Sequence, residues 1–344
     1  MAVSLLGCRA AGSTTFLIAR GDNLVSVSGL GRSDKWGDLP RGFLTARIAV
    51  APGKRFVAVS GNRAGGPGYD SILIYENRRL LRVIGTDKRE AWGPSWSPRA
   101  DRLAYMLGSE LVVERPQGGA KRVLAKGQPV ADAPVWSPQG DKILWATIEV
   151  RPGLPNYLHY WLIDVKTGRR REVAANLADK QSFSSREGDV IWNPWSPDGL
   201  SLAFTTRGPL QVLGQPPSVA LRIYELKTKK QRVVAAINGG TWKSLFPGSW
   251  SPDGRSFTYS SNVVKPIERN TEIYVYDLKS RKTEILTHDS LVESGGYWSP
   301  DGRSIIYNAN GQGGAPGLYI VTVADPTAKR LGAEAPINPD AWLR

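Results

Sequence analysis

The chain has 344 residues, 41% of them hydrophobic, with 37 Gly, 24 Pro and a formal net charge of +14. Such a balance suits a folded domain of short strands and tight turns, and no apolar stretch is long enough to span a membrane as a helix. The single Cys excludes an internal disulfide framework, and only two His are present, His159 and His288.

At the N-terminus, Leu5-Leu6-Gly7-Cys8 closes a short apolar stretch. It resembles the lipobox of bacterial lipoproteins, in which the Cys is acylated and becomes the first mature residue. The stretch lacks the positive leading region of a complete signal peptide, so it reads as the end of an apolar segment that starts further upstream. Residues 1–13 are therefore expected to be the end of a lipoprotein-type signal and a short tether, and 14–344 a single domain. The alternative is a cytoplasmic start with an ordinary buried Cys.

Two strand-like runs follow, Thr15-Phe16-Leu17-Ile18-Ala19 and Asn23-Leu24-Val25-Ser26-Val27. A unit then recurs to the end of the chain. Its degenerate first copy is Val50-Ala51-Pro52-Gly53-Lys54-Arg55. Five clear copies follow: Trp96-Ser97-Pro98-Arg99-Ala100-Asp101, Trp136-Ser137-Pro138-Gln139-Gly140-Asp141, Trp195-Ser196-Pro197-Asp198-Gly199, Trp250-Ser251-Pro252-Asp253-Gly254 and Trp298-Ser299-Pro300-Asp301-Gly302. Each precedes an apolar run such as Leu103-Ala104-Tyr105 or Ile305-Ile306-Tyr307. Pro presets the backbone angle of a turn, and Gly tolerates the left-handed conformation that closes it. Trp thus ends one strand and the apolar run begins the next, as in a hairpin.

Most units add two further runs, for example Glu272-Ile273-Tyr274-Val275-Tyr276 and Thr283-Glu284-Ile285-Leu286. Four short strands per roughly 50 residues make a propeller blade. One blade cannot bury both its faces, so neighbours must stack, and the repeated Trp is a natural filler between them. Six motifs are visible. The N-terminal runs and Pro339-Asp340-Ala341-Trp342-Leu343 together are expected to form a seventh blade shared by both termini, with six blades as the alternative.

The Trp-Ser-Pro-Asp-Gly unit, with its following strands, resembles the WD40-like (PD40) repeats of TolB-type β-propellers over residues 44–334. The resemblance implies an all-β propeller of four-stranded antiparallel blades. It is unspecific for function, because this fold serves as a scaffold for unrelated tasks. Trp96, Trp136, Trp195, Trp250 and Trp298, with Asp198, Asp253 and Asp301, are read as structural repeat residues. TolB-like propellers are usually exported, which agrees with Cys8 as a lipidation site and with a periplasmic or extracellular envelope location.

Signals for catalysis are weak. Propeller lyases and metal-dependent lactonases generally draw several His to the channel mouth, and two His 129 residues apart cannot supply them. No Gly-x-Ser-x-Gly elbow occurs. Gly61 to Gly68 and Gly311 to Gly314 are read as turns between second and third strands, since neither opens a helix. No catalytic residue, metal or cofactor is expected.

The basic clusters Lys88-Arg89, Gly168 to Arg171, Lys227 to Lys230 and Arg281-Lys282 read mainly as solvated turns that protect sheet edges. The net charge favours an anionic envelope component as partner, and no nucleic-acid signature is present. The expected function is a monomeric, non-enzymatic envelope scaffold that binds a protein or other ligand. The alternative is a metal-independent propeller hydrolase or lyase acting on sugars or peptides. Short, uniform motif turns are poor material for recognition beside the long loops of the opposite rim. In the third to fifth repeats those loops mix Trp, Tyr and basic residues, as binding hot spots do. Arg151, Tyr157, Trp192, Trp242, Lys243 and Arg269 are the expected partner-binding residues.

Overall fold

The apolar runs that follow the motifs show no alternation because both of their faces are buried. Phe56 and Ala58 pack toward one neighbouring blade, while Val57 and Val59 pack toward the other. The same division separates Leu103 and Tyr105 from Ala104 and Met106. A strand with two buried faces requires a sheet on each side, and a ring of blades supplies this without leaving an end.

A computed structural model describes residues 15–62, 71–86, 88–127, 133–149, 157–173, 193–207, 219–237, 245–262, 271–288, 291–310, 315–332 and 342–343. Blade 1 holds β1 (Thr15–Arg20), β2 (Asn23–Ser28) and β3 (Ser33–Asp38), and blade 2 holds β4 (Leu44–Val50), β5 (Phe56–Asn62), β6 (Ser71–Glu76) and β7 (Arg79–Ile84). Blade 3 comprises β8 (Ala91–Trp96), β9 (Leu103–Leu107), β10 (Glu110–Glu114) and β11 (Arg122–Lys126). Blade 4 comprises β12 (Val135–Trp136), β13 (Lys142–Glu149), β14 (Tyr157–Asp164) and β15 (Arg170–Val173). In blade 5 are β16 (Ser201–Arg207), β17 (Val219–Glu225) and β18 (Gln231–Ile237). Blade 6 follows with β19 (Leu245–Trp250), β20 (Ser256–Ser261), β21 (Glu272–Asp277) and β22 (Thr283–Ile285). Blade 7 has β23 (Val292–Trp298), β24 (Ser304–Asn310), β25 (Gly317–Thr322) and β26 (Lys329–Gly332), and the last strand is β27 (Trp342–Leu343).

Seven blades are present, as expected. β27 pairs antiparallel with β1 and becomes the innermost strand of blade 1, with Phe16 opposite Trp342. The blade is therefore built from both termini. In blade 5 the innermost strand is reduced to a bridge between Trp195 and Leu202. β3 escapes the sequence reading because Ser-Asp-Lys-Trp-Gly-Asp lacks strand periodicity. Its Trp36 is nevertheless buried against Tyr75 of blade 2.

The core is divided into seven apolar clusters, one at each junction between neighbouring blades. Bulges recur just before the motif in β4, β8, β19 and β23, where an extra residue increases the local twist. Motif turns and the turns between third and fourth strands lie on one rim. The other two connections of each blade lie on the opposite rim.

Candidate functional site

Each of the five Trp-Ser-Pro turns is assembled from three short-range bonds. In blade 6 the Gly254 amide donates to Ser251 O at 2.9 Å, and the Ser251 hydroxyl donates to Asp253 Oδ1 at 2.6 Å. The Ser256 amide returns to Ser251 Oγ at 2.9 Å and starts the next strand. The Ser251 hydroxyl and the Arg255 amide hold the Asp253 carboxyl below its ordinary value. Ser196 with Asp198, and Ser299 with Asp301, repeat the arrangement. Blades 3 and 4 reach the same result differently. Ser97 and Ser137 donate to Asp101 and Asp141, two residues further along the chain. The repeat aspartates are thus turn residues, as read from the sequence.

The motif tryptophans do more than fill space. The indole N–H of Trp96 donates to Ala49 O at 2.9 Å, Trp136 to Ser95 O at 3.1 Å, Trp195 to Val135 O at 3.2 Å and Trp250 to Pro194 O at 3.0 Å. Every acceptor stands one residue before the motif position of the preceding blade. Four junctions are therefore laced by the same indole bond, which the repeat spacing alone did not reveal. The junction of blades 6 and 7 departs from this pattern. There the Thr258 hydroxyl is shared between the carbonyls of Ser249 and Gly296, and the Trp298 amide donates to Ser249 Oγ. Among the described residues, the buried indole N–H of Trp298 has no acceptor.

The same residues surround a cavity of about 530 Å³. Its wall is made by the five motif tryptophans, the six motif prolines from Pro52 to Pro300, and small or polar side chains such as Ser95, Ser249 and Asn193. Six of the seven blades contribute, so the cavity is the mouth of the ring's axis on the motif rim. Among the described residues, none that lines it is titratable. The short turns thus supply a concave, apolar surface that reading them one at a time did not suggest.

On the opposite rim, blade 4 gathers a polar cluster. His159 Nδ1 lies 2.7 Å from Glu172 Oε1, and Nε2 lies 3.2 Å from Glu149 Oε2. The imidazole stacks on Trp161, whose ring also carries the Arg170 guanidinium at 4.7 Å. Both ring nitrogens of His159 are thus engaged by carboxylates. Two further acids are buried where the third strand of blade 6 and the innermost strand of blade 7 begin. A Thr271–Val292 bridge brings the backbones of Glu272 and Glu293 together, and the Thr287 hydroxyl donates to Glu293 Oε2 at 2.5 Å. No motif marks them, since their neighbours come from separate repeats. Among the described residues, no group of three or more His, Cys, Asp and Glu is placed to hold a metal ion.

Of the residues expected to bind a partner, Tyr157 begins β14 opposite Glu149. Arg151, Trp192, Trp242, Lys243 and Arg269 lie outside the described residues, as does Cys8.

Residues 178–343 match the family described as TolB beta propeller domain, PD40. No curated protein sequence matches the chain. Among solved structures, an oligogalacturonate lyase in complex with manganese is similar, with a TM-score of 0.64 and 16% identity, covering 93% of this chain and 83% of that one. The oligogalacturonate lyase of Vibrio parahaemolyticus gives a TM-score of 0.61 at 12% identity, over 95% and 87% of the two chains. The β-propeller domain of the Trilobed protease from Pyrococcus furiosus gives 0.57 at 14%, over 86% of each chain. That last propeller is described as having an open velcro topology, whereas β27 closes the ring here. At these identities the likenesses show the fold alone. Residues 178–343, just under half of the chain, are thus similar to the TolB-type PD40 family, and the repeat and the seven blades carry the TolB-like β-propeller fold around the whole ring.

Proposed function

We propose that this protein is a non-enzymatic binding scaffold of the bacterial cell envelope, and that its axial mouth takes an uncharged segment of a partner protein. The observation that carries this reading is the cavity of about 530 Å³ ringed by indoles and prolines, with no acid, base or cation among the described residues of its wall. Indole and proline faces suit apolar and peptide contacts, and large aromatics dominate binding hot spots. Acid–base or nucleophilic chemistry needs titratable groups within hydrogen-bond reach of the substrate, and the described residues of this wall supply none. The envelope location rests on the TolB-type repeat and on Leu5-Leu6-Gly7-Cys8, with Cys8 as the site of a lipid anchor. The loop-rich rim, with Trp192 and Trp242, is the second contact surface of the proposal.

Capture from native envelopes separates the two rims. Pro197→Arg with Pro252→Arg places charge in the mouth without removing an indole. Trp192→Ala with Trp242→Ala alters the other rim. Loss of capture by the proline pair, with melting unchanged within a few degrees, supports the mouth; loss only in the tryptophan pair moves the site to the loops. Release of products from oligogalacturonate by the purified protein would favour the lyase reading instead. Cys8→Ser should abolish labelling by fatty acid and partition into detergent, and persistence of both would remove the anchor.

A further inference from the structure

A second cavity, of about 420 Å³, opens on the motif rim between blades 3 and 4. It adjoins the axial mouth, and Pro98 and Trp136 line both. Its cations are Arg99, Arg102, Arg122 and Lys166, and its carboxylates are Asp101, Asp141 and Asp164. Among the described residues no ion pair joins the two sets, and the four cations outnumber the three carboxylates. Asp101 is held by the Ser97 hydroxyl at 2.7 Å and Asp141 by Ser137 at 2.9 Å and by Lys142. Asp164 accepts both the amide and the hydroxyl of Thr167 at 2.7 Å. The Arg122 guanidinium reaches from β11 across the junction to the carbonyls of Val165 and Lys166, at 2.6 and 2.8 Å, so it meets no counter-charge there. Among the described residues, the side chains of Arg99, Arg102 and Lys166 form no ion pair.

The repeat supplies an internal control. At the fourth motif position blades 5, 6 and 7 carry Asp198, Asp253 and Asp301. Blades 3 and 4 carry Arg99 and Gln139 there, because Asp101 and Asp141 take over the bond to the motif Ser from two residues on. The turn is kept, its acid moves two residues along within the same cleft, and blade 3 gains a cation at the vacated corner. We propose that this cleft binds the phosphate group of a phosphate ester, held by Arg99, Arg102 and Lys166, with Arg122 at its outer end. A guanidinium fork matches phosphate oxygens, and a doubly charged anion satisfies several cations together. Pro98, Trp136 and Val165 give the wall an apolar part against which the organic body of the ester can rest.

The test uses the whole chain and three probes: inorganic phosphate, glycerol 3-phosphate, and vesicles containing phosphatidylglycerol against vesicles of phosphatidylcholine alone. Arg99→Gln with Lys166→Gln should weaken saturable binding about tenfold or more, the equivalent of one good charge-assisted contact. Lys227→Gln with Lys229→Gln removes the same charge from an unrelated turn and should leave binding within about twofold, since screening limits distant charges. Binding of the soluble ester identifies a free phosphate compound, and binding of the vesicles alone identifies a lipid headgroup. Equal losses in both double variants would mean general surface attraction and overturn the site. So would the absence of saturable binding to all three probes. Galacturonate binding as tightly as glycerol 3-phosphate would overturn the assignment of phosphate.

Discussion

At the scale of single residues, the motif positions have separable tasks. Trp250 is buried, packs edge-on against Phe257 and donates to Pro194 O, whereas the indole N–H of Trp298 has no acceptor among the described residues. Trp250→Phe should therefore destabilise more than Trp298→Phe, by about 1 kcal/mol, the net value of one hydrogen bond. Denaturant titration of the two variants checks this, and equal losses would mean that the indole bonds contribute nothing. The last turn position offers a second comparison. Gly254 has φ +71°, and Ala100 holds the same place with φ +56°. Gly254→Ala should cost about 1–2 kcal/mol, while Ala100→Gly should gain about 0.5 kcal/mol after the extra freedom of the unfolded chain is counted. Tyr75 gives a pH dependence. Burial, with the nearby Asp38 charge adding to it, pushes its phenol up to about 12, against about 10 in an unfolded chain. A raised folded value stabilises fully below pH ~10 and is lost as pH climbs toward ~12. Tyr75→Phe should flatten the fall in stability across that window, as followed by melting temperature.

At the scale of elements, the outer strands explain part of the positive charge. Arg82 of β7 donates to Pro116 O at 2.8 Å, Arg122 of β11 to Val165 O, Arg232 of β18 to Leu278 O at 3.1 Å, and Lys329 of β26 to Leu30 O at 3.0 Å. In each case a cation on an outermost strand reaches the turn between third and fourth strands of the next blade. The last contact carries the pattern across the seam from blade 7 to blade 1. Some basic residues are therefore clasps between blades, while those in the turns themselves are solvated, as expected. Arg82 also pairs at 2.9 Å with Glu114, whose side chain is wholly buried and accepts the Tyr105 hydroxyl. Arg82→Met should destabilise by about 3–5 kcal/mol, because a buried carboxylate then lacks its partner. Adding Glu114→Gln should recover most of that loss in the same unfolding assay.

At the scale of the whole molecule, ring closure rests on very little chain. β27 contributes two residues, yet Trp342 packs edge-on against Phe16 within the cluster that joins blades 7 and 1. Ending the chain at Ala341 should cost at least the about 3–5 kcal/mol of a lost buried Trp. The melting temperature should fall, and protease cleavage should concentrate in blades 1 and 7. An unchanged melting temperature would mean that the other six junctions hold the ring without the shared blade. The closed ring also leaves the rims as the surfaces where turns are open to solvent. Both faces of the blades are occupied by neighbours, and among the described residues concave surfaces form where turns converge, as at the axis and between blades 3 and 4.

The sequence alone determined the repeat, the hairpin turn and the all-β class. These are local properties, set by Pro and Gly backbone preferences and by apolar runs buried on two faces. Even the shared blade was legible, because Trp342 stands in a copy of the motif's opening. The tertiary structure decided what depends on neighbours distant in the chain. The indole of one repeat finds the carbonyl of the previous one 41–60 residues earlier, a pairing fixed by the angle between blades. Cavities likewise belong to no single segment. Turns that look uniform in sequence enclose an apolar mouth once six of them face a common axis, and Arg99 of one blade shares a cleft with Lys166 of the next only because the two stand side by side.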